Sequence, residues 1–432
     1  TYAADAPLVA APLGDAARER IARSVAWWRA WAAHCAYQGS YRDVVVRSAL
    51  VLKLMAYAPS GAIVAAPTTS LPECRGGVRN WDYRYCWLRD ASFTLRALLA
   101  LGYRLEAEAF LSWMLHATRL TWPELQVLYD VFGAARLPEH ELRHLAGYAG
   151  SRPVRIGNDA YSQLQLDVYG EVIDAALRFA RAGGAFDRDT GRMLNGLGRT
   201  VCRRWREPDD GIWEGRAGRF QHTQSKALCW VALDRLIELH ERHGLAIDSA
   251  GFRRQRKAIR DAIEGHGYNE RLGSYTQVFD GDRLDASLLT LPLYDYVAAT
   301  DPRMVSTFAR IRERLGRGDL LYRYDAETDD GLPAGEAPFG ICSFWGVECQ
   351  ALAGDVAGAT RAFERLLGYA NDVGLYAEEI DPETGAALGN FPQAFTHVGL
   401  INAALTLAAR DAQPAAQLSI GSSGRQPGRR HE

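Results

Sequence analysis

The sequence predicts an all-α fold, a toroid of about twelve helices with its functional residues in long loops at one end. Three observations predict it. Apolar residues recur three and four apart through most of the 432 residues, as in Leu228, Val231, Ala232, Leu233, Leu236 and Ile237. No stretch keeps the period of two that a half-buried sheet needs. The links between helices are unequal, some short and stopped by glycine, others long and decorated. A helical solenoid gives a similar pattern, but no self-similarity at a fixed period is visible.

The spacing predicts helices over 15–35, 42–57, 91–101, 106–118, 162–182, 192–206, 225–243, 248–266, 285–299 (broken at Pro292), 303–315, 343–352, 357–369 and 396–409. Gly102 and Gly244 stop two of them. The barrel is expected to occupy 1–412. The polar segment 413–432 (QPAAQLSIGSSGRQPGRRHE) is expected to be a disordered tail.

Composition narrows the function class. Lys+Arg number 50 and Asp+Glu 52, a net charge of −2, so there is no basic footprint for nucleic acid or an anionic membrane. No apolar run reaches the roughly 18 residues of a membrane span, and the first residues lack the basic start of a signal peptide. The seven cysteines are scattered and make no C-x-x-C pair, which favours a reducing, cytoplasmic home. Eleven Trp and 19 Tyr suit sugar rings, which have apolar faces and polar rims, but ordinary core packing also uses them.

Four loops carry candidate chemistry. In the first, 64–90, the run Trp81-Asp82-Tyr83-Arg84-Tyr85-Cys86-Trp87-Leu88-Arg89-Asp90 interleaves aromatics with arginines and aspartates. It reads as a sugar site or as a buried ion-pair network with arginine on tryptophan. In the second, 207–224, Glu214 follows Ile212 and Trp213; a carboxyl against an aromatic surface favours its protonated form and suits a general acid. The plain alternative is an exposed turn glutamate. The third, 319–342, sets Arg323 between Tyr322 and Tyr324 and has an Asp329-Asp330-Gly331 turn without the ligand spacing of an EF-hand. The fourth, 372–395, places Glu378 and Glu379 side by side, either a base for water or a solvated acidic turn.

A rival signal is His140-Glu141-Leu142-Arg143-His144, which matches the H-E-x-x-H helix of zinc proteases. The segment is short, between Pro138 and Gly147, and no third ligand stands out, so the expectation is a polar surface helix.

The stretches PTTSLPE, GGVRNWDYRYCWLRDASFTL, GIWE, SKALCWVALDR, YRY, DDGLP, CSFW and LGNFPQAFTHVGLINAA, in this order over residues 20–410, resemble the glucoamylase and trehalase family of inverting glycosidases, glycoside hydrolase family 15. The resemblance implies an (α/α)6 barrel, single-displacement hydrolysis of an α-glucoside oligosaccharide or disaccharide, and release of β-glucose from the non-reducing end. It implies no metal and no cofactor. By motif register, Glu214 is implied as general acid and Glu378, rather than Glu379, as the base. Tyr83 is implied to help hold the water, Arg89 and Asp90 to grip glucose hydroxyls, Trp87 and Trp213 to line that subsite, and Arg323 and His397 to contact the sugar.

There are departures from the family pattern. Gly215 stands where fungal relatives carry a second acidic residue, the run Gln221-His222-Thr223-Gln224-Ser225 is unusually polar, and the β-sandwich that precedes the barrel in bacterial members is not expected in this chain. The other function class open at this point is a carbohydrate-binding protein on an inactive enzyme scaffold.

Overall fold

The computed structural model describes residues 14–325, 330–333 and 335–411. Among them are thirteen α-helices: α1 (Gly14–Ala33), α2 (Arg42–Met55), α3 (Ala91–Ala100), α4 (Arg104–Thr121), α5 (Asp167–Arg181), α6 (Arg188–Arg204), α7 (Thr223–His243), α8 (Ser249–His266), α9 (Thr290–Leu293), α10 (Pro302–Leu315), α11 (Gly340–Leu352), α12 (Val356–Leu367) and α13 (Ala394–Asp411). The only regular sheets among these residues are five two-stranded antiparallel ribbons, each strand two residues long.

The helices form two concentric rings. The inner ring runs α3, α5, α7, α9 with its leading 3-10 turn Ala286–Leu289, α11 and α13, and closes where α13 meets α3. Outside it, α2 packs on α13, α4 on α3, α6 and α8 on α7, and α12 on α11, while α10 packs on the 286–289 turn. This is the predicted (α/α)6 architecture, with α1 added outside against α2.

Sequence separates the two rings. An inner helix meets protein on every side, and α7 is buried almost continuously from Thr223 to Ile237. An outer helix buries one stripe: α8 hides only Phe252, Ile259 and Ile263. The aspartates Asp187, Asp248, Asp301 and Asp355 cap α6, α8, α10 and α12, each accepting a backbone N–H of the first turn; such a cap is worth about 1 kcal/mol. Where α5 meets α7, a Cβ on Gly170 would lie 2.5 Å from the Leu228 carbonyl oxygen, so only glycine permits the approach. A buried ion cluster ties three inner helices: Asp174 of α5 accepts from Ser92 of α3 and, at 2.7 Å, from Arg235 Nε of α7.

Connections explain where a site can form. Links from inner to outer helices are short, such as 101–103, 182–187, 244–248 and 353–355. Links from outer to inner helices are long: 56–90, 122–166, 205–222, 267–285, 316–339 and 368–393. All six therefore arrive at the same end of the inner ring.

Three expectations are corrected. The segment 285–299 is not a helix: after the 3-10 turn and one turn of α9, the chain leaves at Tyr294, with Asp295 at φ +59°. The His140–His144 segment is not a surface helix. His140 and Glu141 form a two-residue strand paired with Ile156 and Arg155, and His144 lies in an exposed turn. The zinc motif needs both histidines on one helical face, so the segment does not supply that geometry. Helix α5 starts at Asp167 rather than 162, because Asp210 and Asp209 accept the Leu164 and Leu166 N–H groups and hold them in the loop. The tail 413–432 and Asp329 lie outside the described residues.

Candidate active site

The long links enclose a pocket of about 300 Å³ at the end of the inner ring. Its walls come from four of them: Arg79, Trp81 and Tyr83; Asn158, Asp159, Ala160, Ser162 and Gln163; Trp213, Glu214 and Arg216; Arg323 and Leu332.

Glu214 stands in the wall with φ +62°, a left-handed backbone that costs a non-glycine residue about 1 kcal/mol or more and is common at functional sites. Two donors converge on its Oε1: Trp87 Nε1 at 2.6 Å and Arg89 Nη1 at 2.9 Å. Arg89 also holds the Ile212 carbonyl at 2.9 Å and pairs with Asp90 through Nε at 3.1 Å. Burial pushes the Asp90 carboxyl up, and Arg89 pulls it down. Gln163 Nε2 donates to the Glu214 carbonyl at 3.1 Å, pinning the strained backbone from the other side. Trp213 is fixed by its Nε1 bond to Asp285 at 2.9 Å and packs against Phe339 and Trp345.

Glu378 lies behind Tyr83, 1% exposed. The Tyr83 hydroxyl donates to Glu378 Oε1 at 2.5 Å, while Oε2 accepts no hydrogen bond from the described residues. Gly389 crosses directly beside it: a Cβ there would sit 2.6 Å from Oε2. Burial, then the negative charge of Glu73, pushes the Glu378 carboxyl up to about 8, against the pull of Arg323 and Tyr83. The neighbouring Glu379 faces elsewhere. It begins the strand Glu379–Ile380, where successive side chains alternate, and binds the Ala337 N–H at 3.0 Å and Arg323 at 3.5 Å.

The structure places Tyr83, Trp213, Glu214 and Arg323 in the pocket wall; Trp87 and Arg89 bond to Glu214, Asp90 to Arg89, and Glu378 to Tyr83, behind that wall. His397 stands apart. It is fully buried, its Nε2 accepts the Tyr376 N–H at 3.2 Å, and its Nδ1 meets Ser48 Oγ at 3.0 Å. Burial lowers its pKa to about 3, so it is neutral. Within the first loop both readings hold in part: Arg84 forms two hydrogen bonds to buried Asp82, a structural pair, while Tyr83, Trp87 and Arg89 serve the glutamates. In the third loop Asp330 binds Arg79 at 2.8 Å and the Tyr324 hydroxyl at 2.6 Å.

Sequence reasoning missed Glu73, Asn158, Asp159, Gln163 and Arg216. Glu73 is 1% exposed and binds Trp81 Nε1 at 2.7 Å and Arg323 Nη2 at 3.3 Å. Trp81 in turn carries the guanidinium groups of Arg155 and Arg216 over its ring, 4.6 and 4.8 Å from the centroid, and Glu139 bonds to both arginines. Four aromatics between Trp81 and Asp90 had marked that loop; nothing comparable marks 158–163.

No helix among the described residues is long and apolar enough to cross a membrane, and no group of three or more His, Cys, Asp or Glu there is placed to hold a metal.

Comparison with known proteins identifies the family. The profile described as Glycosyl hydrolases family 15 matches residues 39–405. A trehalase of Mycobacterium tuberculosis is 43% identical over 398 residues, covering 90% of this chain and 58% of the relative. A trehalase of Thermoplasma acidophilum is 38% identical, covering 89% and 66%. The chain therefore spans about three-fifths of the length of these relatives. Among solved structures, a glycosidase in complex with glucose superposes with a TM-score of 0.67 at 20% identity, covering 86% of this chain and 99% of that one. A bacterial glucoamylase complexed with acarbose gives 0.67 at 16%, covering 84% and 55%. These structural likenesses speak to the barrel; the profile and the sequence identities speak to descent. The chain belongs to family 15 of the glycosyl hydrolases.

Proposed function

We propose that this chain is an inverting, exo-acting glycosidase that releases β-glucose from the non-reducing end of an α-glucoside, with Glu214 as general acid and Glu378 as general base. The observation that carries the reading is a pair of differently held glutamates, Glu214 in the pocket wall and Glu378 bonded to the wall residue Tyr83. Glu214 Oε1 is occupied by Trp87 and Arg89, which leaves Oε2 to carry a proton to the leaving oxygen. Glu378 Oε1 is occupied by Tyr83, which leaves Oε2 to take a proton from water. The water oxygen bonds to the anomeric carbon as the glycosidic bond breaks, Glu214 protonates the departing sugar, and configuration inverts in one step. Arg89, Asp90, Trp213 and Arg323 hold the glucose ring, and the reaction as written needs no cofactor.

Trehalose is the proposed substrate. The relatives named trehalase support it. Seven unbonded cysteines support a cytoplasmic home.

Glu214→Gln and Glu378→Gln are each expected to abolish turnover while glucose binding persists. Near-normal turnover in either variant would overturn the assignment. Proton NMR of the first product should show β-glucose, and α-glucose first would overturn inversion. Glucose release from trehalose, maltose, isomaltose and kojibiose tests the substrate, with trehalose expected to be fastest.

A further inference from the structure

Behind the pocket, one guanidinium is shared by more carboxylates than it can neutralise. Arg323 binds Glu336 through Nε at 2.5 Å and reaches Glu73 at 3.3 Å and Glu379 at 3.5 Å through Nη2. Glu378 feels the same arginine. These four carboxyls come from three different links, and Glu73, Glu378 and Glu379 are buried. The other charges nearby do not relieve the excess. Arg79 pulls on Glu73 but is paired with Asp330 at 2.8 Å. Glu214 acts from across the pocket on Tyr83, which is buried and holds its proton. Like charges at such separations cannot all ionise together, so protons must be retained within the group.

Glu73 is the member with contacts in two directions. Its Oε1 takes the Trp81 N–H and its Oε2 takes Arg323; both partners are pocket walls. No other residue of the cluster bonds to two walls and also lies close enough for its charge to act on the base.

We propose that Glu73 is a positioning residue of the reaction, orienting Trp81 and Arg323 and, through its negative charge, setting the pH range in which Glu378 can accept a proton. The inference rests on the reading of Glu378 as base. Burial raises the Glu73 carboxyl too, against the pull of Arg323 and Arg79; where Glu73 is ionised its charge disfavours ionisation of Glu378, so removing that carboxyl makes the base functional at lower pH. The rise of kcat/KM on the acid side should then begin earlier in Glu73→Gln than in the wild type.

The test is the pH profile of kcat/KM for glucose release from trehalose. In Glu73→Gln the acid limb should move about one pH unit lower, while Trp81→Phe, which breaks the same hydrogen bond without removing charge, should raise KM and leave the limb in place. A merely structural Glu73 moves kcat or the thermal midpoint but not the limb, and an unmoved limb in folded Glu73→Gln overturns the proposal. Should that variant not fold, Glu73→Asp keeps the charge while shortening its reach to Trp81 and Arg323, and an acid limb that moves about one pH unit lower there overturns the charge argument. Failure of the underlying reading looks different: Glu378→Gln would then keep its turnover, whatever the Glu73 variants do.

Discussion

Replacing Gly389 by alanine presses directly on the proposed base. Gly389 has φ +74°, and a methyl there would lie 2.6 Å from Glu378 Oε2 and 2.8 Å from Glu378 Cβ. Non-bonded carbons rest at about 3.5–4.0 Å, so the side chain must retreat by roughly two-thirds of an ångström or more. It cannot do so freely, because it is buried and Tyr83 holds its other oxygen. A misplacement of about 1 Å costs up to about 10²-fold in rate, which is about 2.7 kcal/mol on the barrier. The left-handed backbone adds about 1–2 kcal/mol against folding. We expect kcat for trehalose to fall about 10–100-fold, with KM within about twofold because Arg89 and Arg323, the proposed holders of the glucose ring, are untouched. The assay is glucose release by the variant at a temperature where circular dichroism shows it folded. Wild-type kcat in that folded variant would refute the placement of Gly389 against the base.

Tyr83→Phe removes the hydroxyl that stabilises ionised Glu378, so kcat should fall about tenfold or more and the acid limb of kcat/KM should move to higher pH, opposite to Glu73→Gln; a shift the same way in both would contradict the charge argument. Glu378→Gln should also change stability. The carboxyl is raised in the folded state from its ordinary 4.5 to about 8, so ionising it costs the fold more as pH climbs through that interval. The neutral variant is therefore expected to match wild type near pH 4 and to exceed it near pH 8 by on the order of a few kcal/mol, less any lost Tyr83 bond. Thermal melts at the two pH values measure this, and a wild type that is the more stable protein at pH 8 speaks against the buried carboxylate.

The helices were readable because a 3.6-residue apolar period survives burial, and an inner helix such as α7 differs from an outer one such as α8 only in how far that period fills the surface. The segment 285–299 misled because its apolar residues kept helical spacing while Tyr294 and Asp295 turned the chain away. Of the six long links, the four rich in Trp, Arg and acidic residues were visible. The 122–166 link was masked by a chance H-E-x-x-H and by helical spacing that runs back to Ser162, so Gln163 was read into a helix. Glu73 could not be assigned from its surroundings in sequence, since its partner Arg323 lies 250 residues away. The choice between Glu378 and Glu379 rested on motif register alone in the sequence; in the fold, Glu378 takes the Tyr83 hydroxyl while Glu379 takes the Ala337 N–H.

The inner ring has a seam, and its position follows the order of synthesis. Helix α13 packs between α11, α3 and α2, and long-range bonds stitch it there: Tyr37 to the Ala404 carbonyl, Asn402 to the Phe93 carbonyl, and His397 to Ser48. A chain emerging from the ribosome can pair neighbouring helices as it grows, but it cannot close the ring until α13 is free. Until then the apolar flanks of α3 and α11 stay open to water and to other nascent chains. Loss of the last helix through a premature stop would thus leave a split cylinder prone to aggregation. By the same geometry, α2 and α13 lie side by side, so a permuted chain joined near them and opened at a short inner-to-outer link would keep the helix pairs of the ring and move the seam elsewhere.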